Sequence, residues 1–89
     1  MEIRKEIYQV GNGYGYKIYI NNKLTILQPH YPCLAGTEPM TQDVANDLAE
    51  FLKIKLERGS NFRITKDVVE GIRNKTLTVE QAIINFFGE

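Results

Sequence analysis

The chain has 89 residues, a formal net charge of zero from 11 basic and 11 acidic side chains, and one cysteine. This length predicts one domain spanning residues 1–89. The neutral charge argues against nucleic acid as the partner, because binding a phosphate backbone requires a surplus of lysine and arginine. One cysteine cannot form an internal disulfide, and no apolar run approaches the roughly 20 residues of a membrane span.

The N-terminal decapeptide MEIRKEIYQV lacks the apolar segment and the cleavage site of a secretory signal. We therefore expect either that the protein stays inside the cell, or that a signal was removed and Met1 was added.

The first third of the chain is predicted to form a three-stranded antiparallel meander. A strand over residues 5–10 is followed by residues 14–20 and 24–27, in which apolar and polar side chains alternate with the period of a half-buried strand. The alternating glycines at positions 11, 13 and 15 predict a tight entry into the second strand beneath aromatic neighbours.

Asn21 and Asn22 separate the second and third predicted strands. A two-residue loop would pair Ile18 with Thr25 and mix apolar and polar side chains on one face. A three-residue loop instead sorts four apolar side chains onto one face: Tyr16, Ile18, Leu24 and Ile26. We therefore predict a three-residue loop of type I geometry with a bulge at Asn22.

Three helices are predicted in the rest of the chain. Thr41 is a good N-cap for a helix over about residues 42–58, which carries one apolar stripe and ends before Gly59. Its stripe consists of Ala45, Leu48, Ala49, Leu52 and Leu56. A short helix over residues 66–74 is capped by Thr65 and weakened by Gly71. The last helix begins at the capping box formed by residues 78–81, Thr-Val-Glu-Gln.

The predicted fold class is therefore α+β. A small antiparallel three-stranded β-meander is packed on one face by the helix over about residues 42–58, and two short C-terminal helices close one end.

Two motifs at the hairpin carry a family resemblance. They are Gly13-Tyr14-Gly15-Tyr16, and Gln28-Pro29 followed by Tyr31-Pro32 and Gly36. Over residues 8–72 the sequence resembles a family of small proteins found mainly in Bacteroidetes and catalogued as domain of unknown function 4907. Tyr14 departs from the tryptophan that is typical of the family. Members are usually exported, so the resemblance implies an envelope or periplasmic location; it implies no catalytic residue.

The candidate site is an aromatic surface next to a stiff turn. All five tyrosines lie within residues 8–31, and Pro29 and Pro32 stiffen the segment from Gln28 to Cys33. We expect cross-strand packing to use most of these rings, with Tyr19 pointing outward. The predicted binding residues are Tyr19, Gln28, His30, Tyr31 and Cys33. They indicate a non-catalytic binding or accessory module for a protein or peptide partner, without a cofactor or a metal.

Two alternatives remain open at this point. Cys33 and His30 resemble a nucleophile with its base, which would make the protein a small thiol-dependent enzyme. An exposed edge strand, or the apolar C-terminal helix, would instead suit a structural subunit of a homodimer. Zinc requires three or four protein ligands, more than one histidine and one cysteine supply.

Overall fold

The computed structural model describes residues 2–28 and 39–88. Strands β1 (Ile3–Val10), β2 (Gly13–Ile20) and β3 (Lys23–Gln28) form an antiparallel sheet in the order β1-β2-β3. Helices α1 (Gln42–Glu57), α2 (Lys66–Arg73) and α3 (Val79–Phe86) follow. The predicted α+β fold, with a three-stranded meander and three helices, is confirmed.

Helix α1 lies between the sheet and the two short helices. It packs on β1 and β2, while α2 and α3 pack on α1 and on each other. Among the described residues neither short helix contacts a strand, so α2 and α3 extend the helical layer rather than closing an end of the sheet. The residues of α1 that are buried are Val44, Ala45, Leu48, Ala49, Phe51, Leu52 and Lys55.

The start of α1 is fastened to the sheet. The backbone N–H of Tyr14 donates to the carbonyl of Met40 at 3.0 Å, and the Met40 side chain is buried in the core. Thr41 then caps the helix, because its hydroxyl accepts from the backbone N–H of Val44 at 3.3 Å. Together these bonds place the first turn of α1 beside β2.

The caps of the short helices are those predicted from the sequence. The hydroxyl of Thr65 accepts from the backbone N–H of Val68 at 3.4 Å. The backbone N–H of Thr78 donates to Gln81 Oε1 at 3.0 Å, while the backbone N–H of Gln81 donates to the Thr78 hydroxyl at 3.1 Å. The capping box is therefore complete, which sets where α3 begins.

The predicted three-residue hairpin loop is wrong. Asn21 and Asn22 form a two-residue turn in which both residues have positive φ, 52° and 67°, as a type I′ turn requires. The pairing of apolar with apolar side chains returns further along the hairpin. The register shifts between Ile18 and Tyr19 and leaves Thr25 as an extra residue in β3. Ile18 consequently lies opposite Ile26, as the sorting argument requires.

The same bulge moves Leu24 away from its predicted face. Leu24 lies opposite Tyr19 and not beside Ile18, and 46% of it is exposed. The bulge sits within β3 and not at Asn22, because asparagine tolerates positive φ well enough for the tighter turn.

A lysine is fully buried in α1. Lys55 Nζ donates to Asn61 Oδ1 at 3.0 Å and to the carbonyl of Arg63 at 2.9 Å, and it lies 5.3 Å from the centroid of the Phe51 ring. A charge in the interior requires such partners, since an unpaired one is very costly. Lys55 therefore ties the segment that leads into α2 back onto α1.

Gly71 in α2 is required by a close approach. A Cβ at this position would lie 2.7 Å from Leu77 Cβ, closer than two carbon atoms tolerate. The carbonyl of Gly71 also accepts from the backbone N–H groups of Thr76 at 2.9 Å and Leu77 at 3.1 Å. The glycine lowers helix propensity, as predicted, but it leaves the room that Leu77 needs to fold back onto α2.

We expect Lys55→Met to lower the free energy of unfolding by about 2–3 kcal/mol, because the Asn61 and Arg63 oxygens lose a charged donor while the volume is kept. Urea denaturation of the two proteins measures the difference. Lys53→Met is the matched control in the same helix. Its ammonium group makes an exposed ion pair with Glu57 at 3.2 Å, so its removal should cost less than about 0.5 kcal/mol. Equal stability of the Lys55 variant and the wild type would contradict this role.

We expect Gly71→Ala to lower the free energy of unfolding by about 1–3 kcal/mol through overpacking, although alanine is the better helix former. Thermal and urea denaturation report the change. Gly88→Ala serves as the control, because no atom lies within 4 Å of the added methyl group. A stabilised Gly71 variant would show that Leu77 moves aside without cost.

Candidate functional site

The candidate site is the face of the sheet opposite α1, called the outer face here. Lys5 marks the inner face, since its Nζ reaches Asn46 at 2.9 Å and Glu50 at 2.6 Å on α1. Side chains alternate between the faces of a strand, so the neighbours of Lys5 along β1 project the other way. The outer face comprises Arg4, Glu6, Tyr8, Lys17, Tyr19, Leu24 and Leu27. Of the described helices, only α1 contacts the strands, and it covers the inner face.

An arginine stacks on the ring of Tyr19. Arg4 lies opposite Tyr19 in the β1–β2 register, and its guanidinium carbon is 4.1 Å from the ring centroid. Such a cation–π contact limits the motion of both side chains, and both remain partly exposed. The Tyr19 hydroxyl makes no hydrogen bond with residues that the structure describes. As predicted, Tyr19 points outward.

One carboxylate on the outer face lies between two cations. Glu6 is 3.6 Å from the guanidinium of Arg4 and 3.7 Å from the ammonium group of Lys17. All three side chains are partly exposed, so each of these ion pairs stabilises the fold by less than about 1 kcal/mol. They matter more for the charge of the surface, because two cations share one carboxylate and leave this face with one more positive than negative charge.

Tyr8 crosses the sheet on the outer face. It lies opposite Gly15, and its hydroxyl donates to the carbonyl of Gln28 on β3 at 3.2 Å. To reach β3 from β1 the ring has to pass over β2 at the position opposite Tyr8, and that position is Gly15. Gly15 is buried, in keeping with a ring that lies over it, while the tight entry predicted from the sequence stays a prediction.

Two leucines on β3 complete the outer face. Leu27 lies opposite Lys17 and is 57% exposed, and Leu24 lies opposite Tyr19 and is 46% exposed. Both are therefore available next to the fixed ring of Tyr19. Tyrosine and arginine are typical anchors of protein recognition, and apolar side chains beside them add contact area.

The predicted site residues are only partly within the described chain. Tyr19 lies on the outer face, and Gln28 ends β3 opposite Tyr16 with its carbonyl bound to Tyr8. His30, Tyr31 and Cys33 lie outside the described residues, so the thiol chemistry proposed for Cys33 stays a prediction from the sequence. Sequence reasoning missed Arg4 and both leucines; the β1–β2 register would have indicated Arg4 opposite Tyr19.

Within residues 2–28 and 39–88, no three side chains of the histidine, cysteine, aspartate or glutamate type come together as metal ligands would. None of the described helices has the length and apolar character needed to cross a membrane.

We expect Tyr8→Phe to lower the free energy of unfolding by about 1 kcal/mol, because it deletes the bond to the Gln28 carbonyl and keeps the ring over Gly15. Tyr8→Ala should cost more, since it also uncovers the glycine. Urea denaturation measures both. Tyr19→Phe is the control and should leave stability unchanged, since its hydroxyl has no partner among the described residues. If the two Phe variants are equally stable, the Tyr8 hydroxyl contributes nothing to the fold.

Comparison with known families agrees with the resemblance seen at the hairpin. The profile of a family described as Domain of unknown function (DUF4907) matches residues 6–71, about three quarters of the chain, and ends before α3. No curated protein and no solved structure matches the chain significantly. Because the family profile covers most of the chain, including the whole sheet except the first residues of β1, the protein belongs to the DUF4907 family.

Proposed function

We propose that this domain is a non-catalytic binding module that recognises a protein partner through the outer face of its sheet. The observation that carries the proposal is the Arg4–Tyr19 pair, 4.1 Å from guanidinium carbon to ring centroid, next to the exposed Leu24 and Leu27. An aromatic ring that is held in place before binding loses little conformational entropy when a partner covers it.

The charge of the outer face defines the partner further. Arg4 and Lys17 share one carboxylate, Glu6, so the surface keeps a net positive charge around its apolar side chains. A matching protein surface offers a carboxylate near Arg4 and Lys17 and apolar side chains against Leu24 and Leu27. Complementary charges at the rim of an interface mainly speed association, which makes the complex sensitive to salt.

The test compares substitutions on the outer face with the substitution of an exposed apolar residue elsewhere in the molecule. The outer-face variant carries Tyr19→Ala, Leu24→Ser and Leu27→Ser; the control carries Phe62→Ser, an exposed apolar position outside the sheet and outside all three helices. Circular dichroism and urea denaturation first establish that both variants fold. Proteins captured by each from cell extract are quantified by mass spectrometry, and the best candidate is then purified and titrated against all three proteins.

We expect a partner whose affinity falls at least about tenfold with the outer-face variant and stays unchanged with the control. Its affinity for the wild type should also fall as salt is raised from low to high concentration. A partner that binds the outer-face variant as tightly as the wild type would overturn the proposal. The same holds if the wild type captures no protein in greater amount than the outer-face variant does.

A further inference from the structure

A second surface lies on the helical side of the molecule. An open groove of about 250 Å³ runs between α1 and α3 and is lined by Ile54, Arg58, Glu80, Ile83 and Ile84. We call it the α1–α3 groove. Of the described helices only α1 contacts the strands, and it covers the inner face, so the groove is separate from the outer face.

The groove combines an apolar floor with an exposed apolar side chain. Ile83 is buried against the core, whereas Ile84, the next residue of α3, is 78% exposed. Among the large apolar side chains that the structure describes, Ile84 is the most exposed. A single exposed apolar residue is ordinary, but Ile84 lies at the edge of a groove whose floor is itself apolar.

The groove also carries one charge of each sign. Arg58 follows the last turn of α1, and Glu80 lies in the first turn of α3. Both are exposed, and neither forms an ion pair within the described chain, although Lys5, Lys53 and Lys66 all pair with nearby glutamates. The two charges thus line one groove without satisfying each other.

We infer that the α1–α3 groove is the interface of a homodimer, and that its occupant is the same groove of a second copy of this chain. A two-fold axis brings the same patch of both subunits together, so the patch has to be complementary to itself. This groove meets that condition. Arg58 of each copy faces Glu80 of the other, and Ile84 of each copy enters the apolar floor formed by Ile54 and Ile83 of the other.

Two features favour a second copy over an unrelated partner. The two signs of charge are balanced within one groove, whereas the outer face has a positive surplus. The groove offers both the protruding side chain and the recess that accepts it.

The dimer is tested by sedimentation velocity over a concentration series of the full chain. We expect a concentration-dependent dimer for the wild type and a dissociation constant at least about tenfold higher for Ile84→Glu. Leu24→Glu is the matched control, because it places the same charge on an exposed leucine of the outer face and should leave dimerisation unchanged. A wild type that stays monomeric up to about 1 mM, or an Ile84→Glu variant that dimerises normally, would overturn the inference.

Charge reversal provides the second, independent measurement. Arg58→Glu and Glu80→Arg should each weaken the dimer, because each places two like charges opposite one another across the axis. The double variant restores opposite charges and should dimerise within about threefold of the wild type. Glu80→Arg also loses a favourable contact with the N-terminus of α3, so the folded fraction of each variant is measured first. If both single variants dimerise as tightly as the wild type, the pairing of Arg58 with Glu80 is overturned.

Discussion

The rest of the structure depends on α1, which is buried by the sheet and by the two short helices. One side of this helix packs on β1 and β2, and other sides receive α2 and α3. Ala45 and Ala49 are completely buried, and alanine permits the close approach that such a position needs. Because a chain of this size has a modest core, concentrating the burial around one helix makes the sheet and the short helices depend on each other.

Two close contacts then fix how the C-terminal part follows α1. Lys55 holds the segment after α1 through Asn61 and Arg63, and Leu77 folds onto Gly71 at the end of α2. Both contacts join residues fewer than ten positions apart. They set the direction of the chain between helices, so that α3 returns to α1 and the groove between the two helices can form.

The two proposed surfaces have different physical characters because different elements build them. Strand pairing places Arg4 against Tyr19 and Glu6 between two cations, which produces a positively charged face with a fixed ring. Helix packing leaves Ile84 exposed beside Arg58 and Glu80, which produces a face with balanced charge. In the proposed arrangement, dimerisation through the helices leaves both outer faces free, so a dimer would present two binding surfaces to its partners and gain from their linkage.

The sequence by itself determined the order and type of all six elements, the three threonine caps and the family, since periodicity and capping act over a few residues. Sorting the apolar side chains of the hairpin onto one face also predicted correctly that Ile18 lies opposite Ile26. It placed the extra residue in the loop, however, and not at Thr25. Only the tertiary structure decided that Lys55 is buried, that Gly15 lies beneath Tyr8 and that Arg4 stacks on Tyr19. The positions of these residues on their elements were visible in the sequence. Their roles were not, because each depends on a partner that another part of the fold supplies.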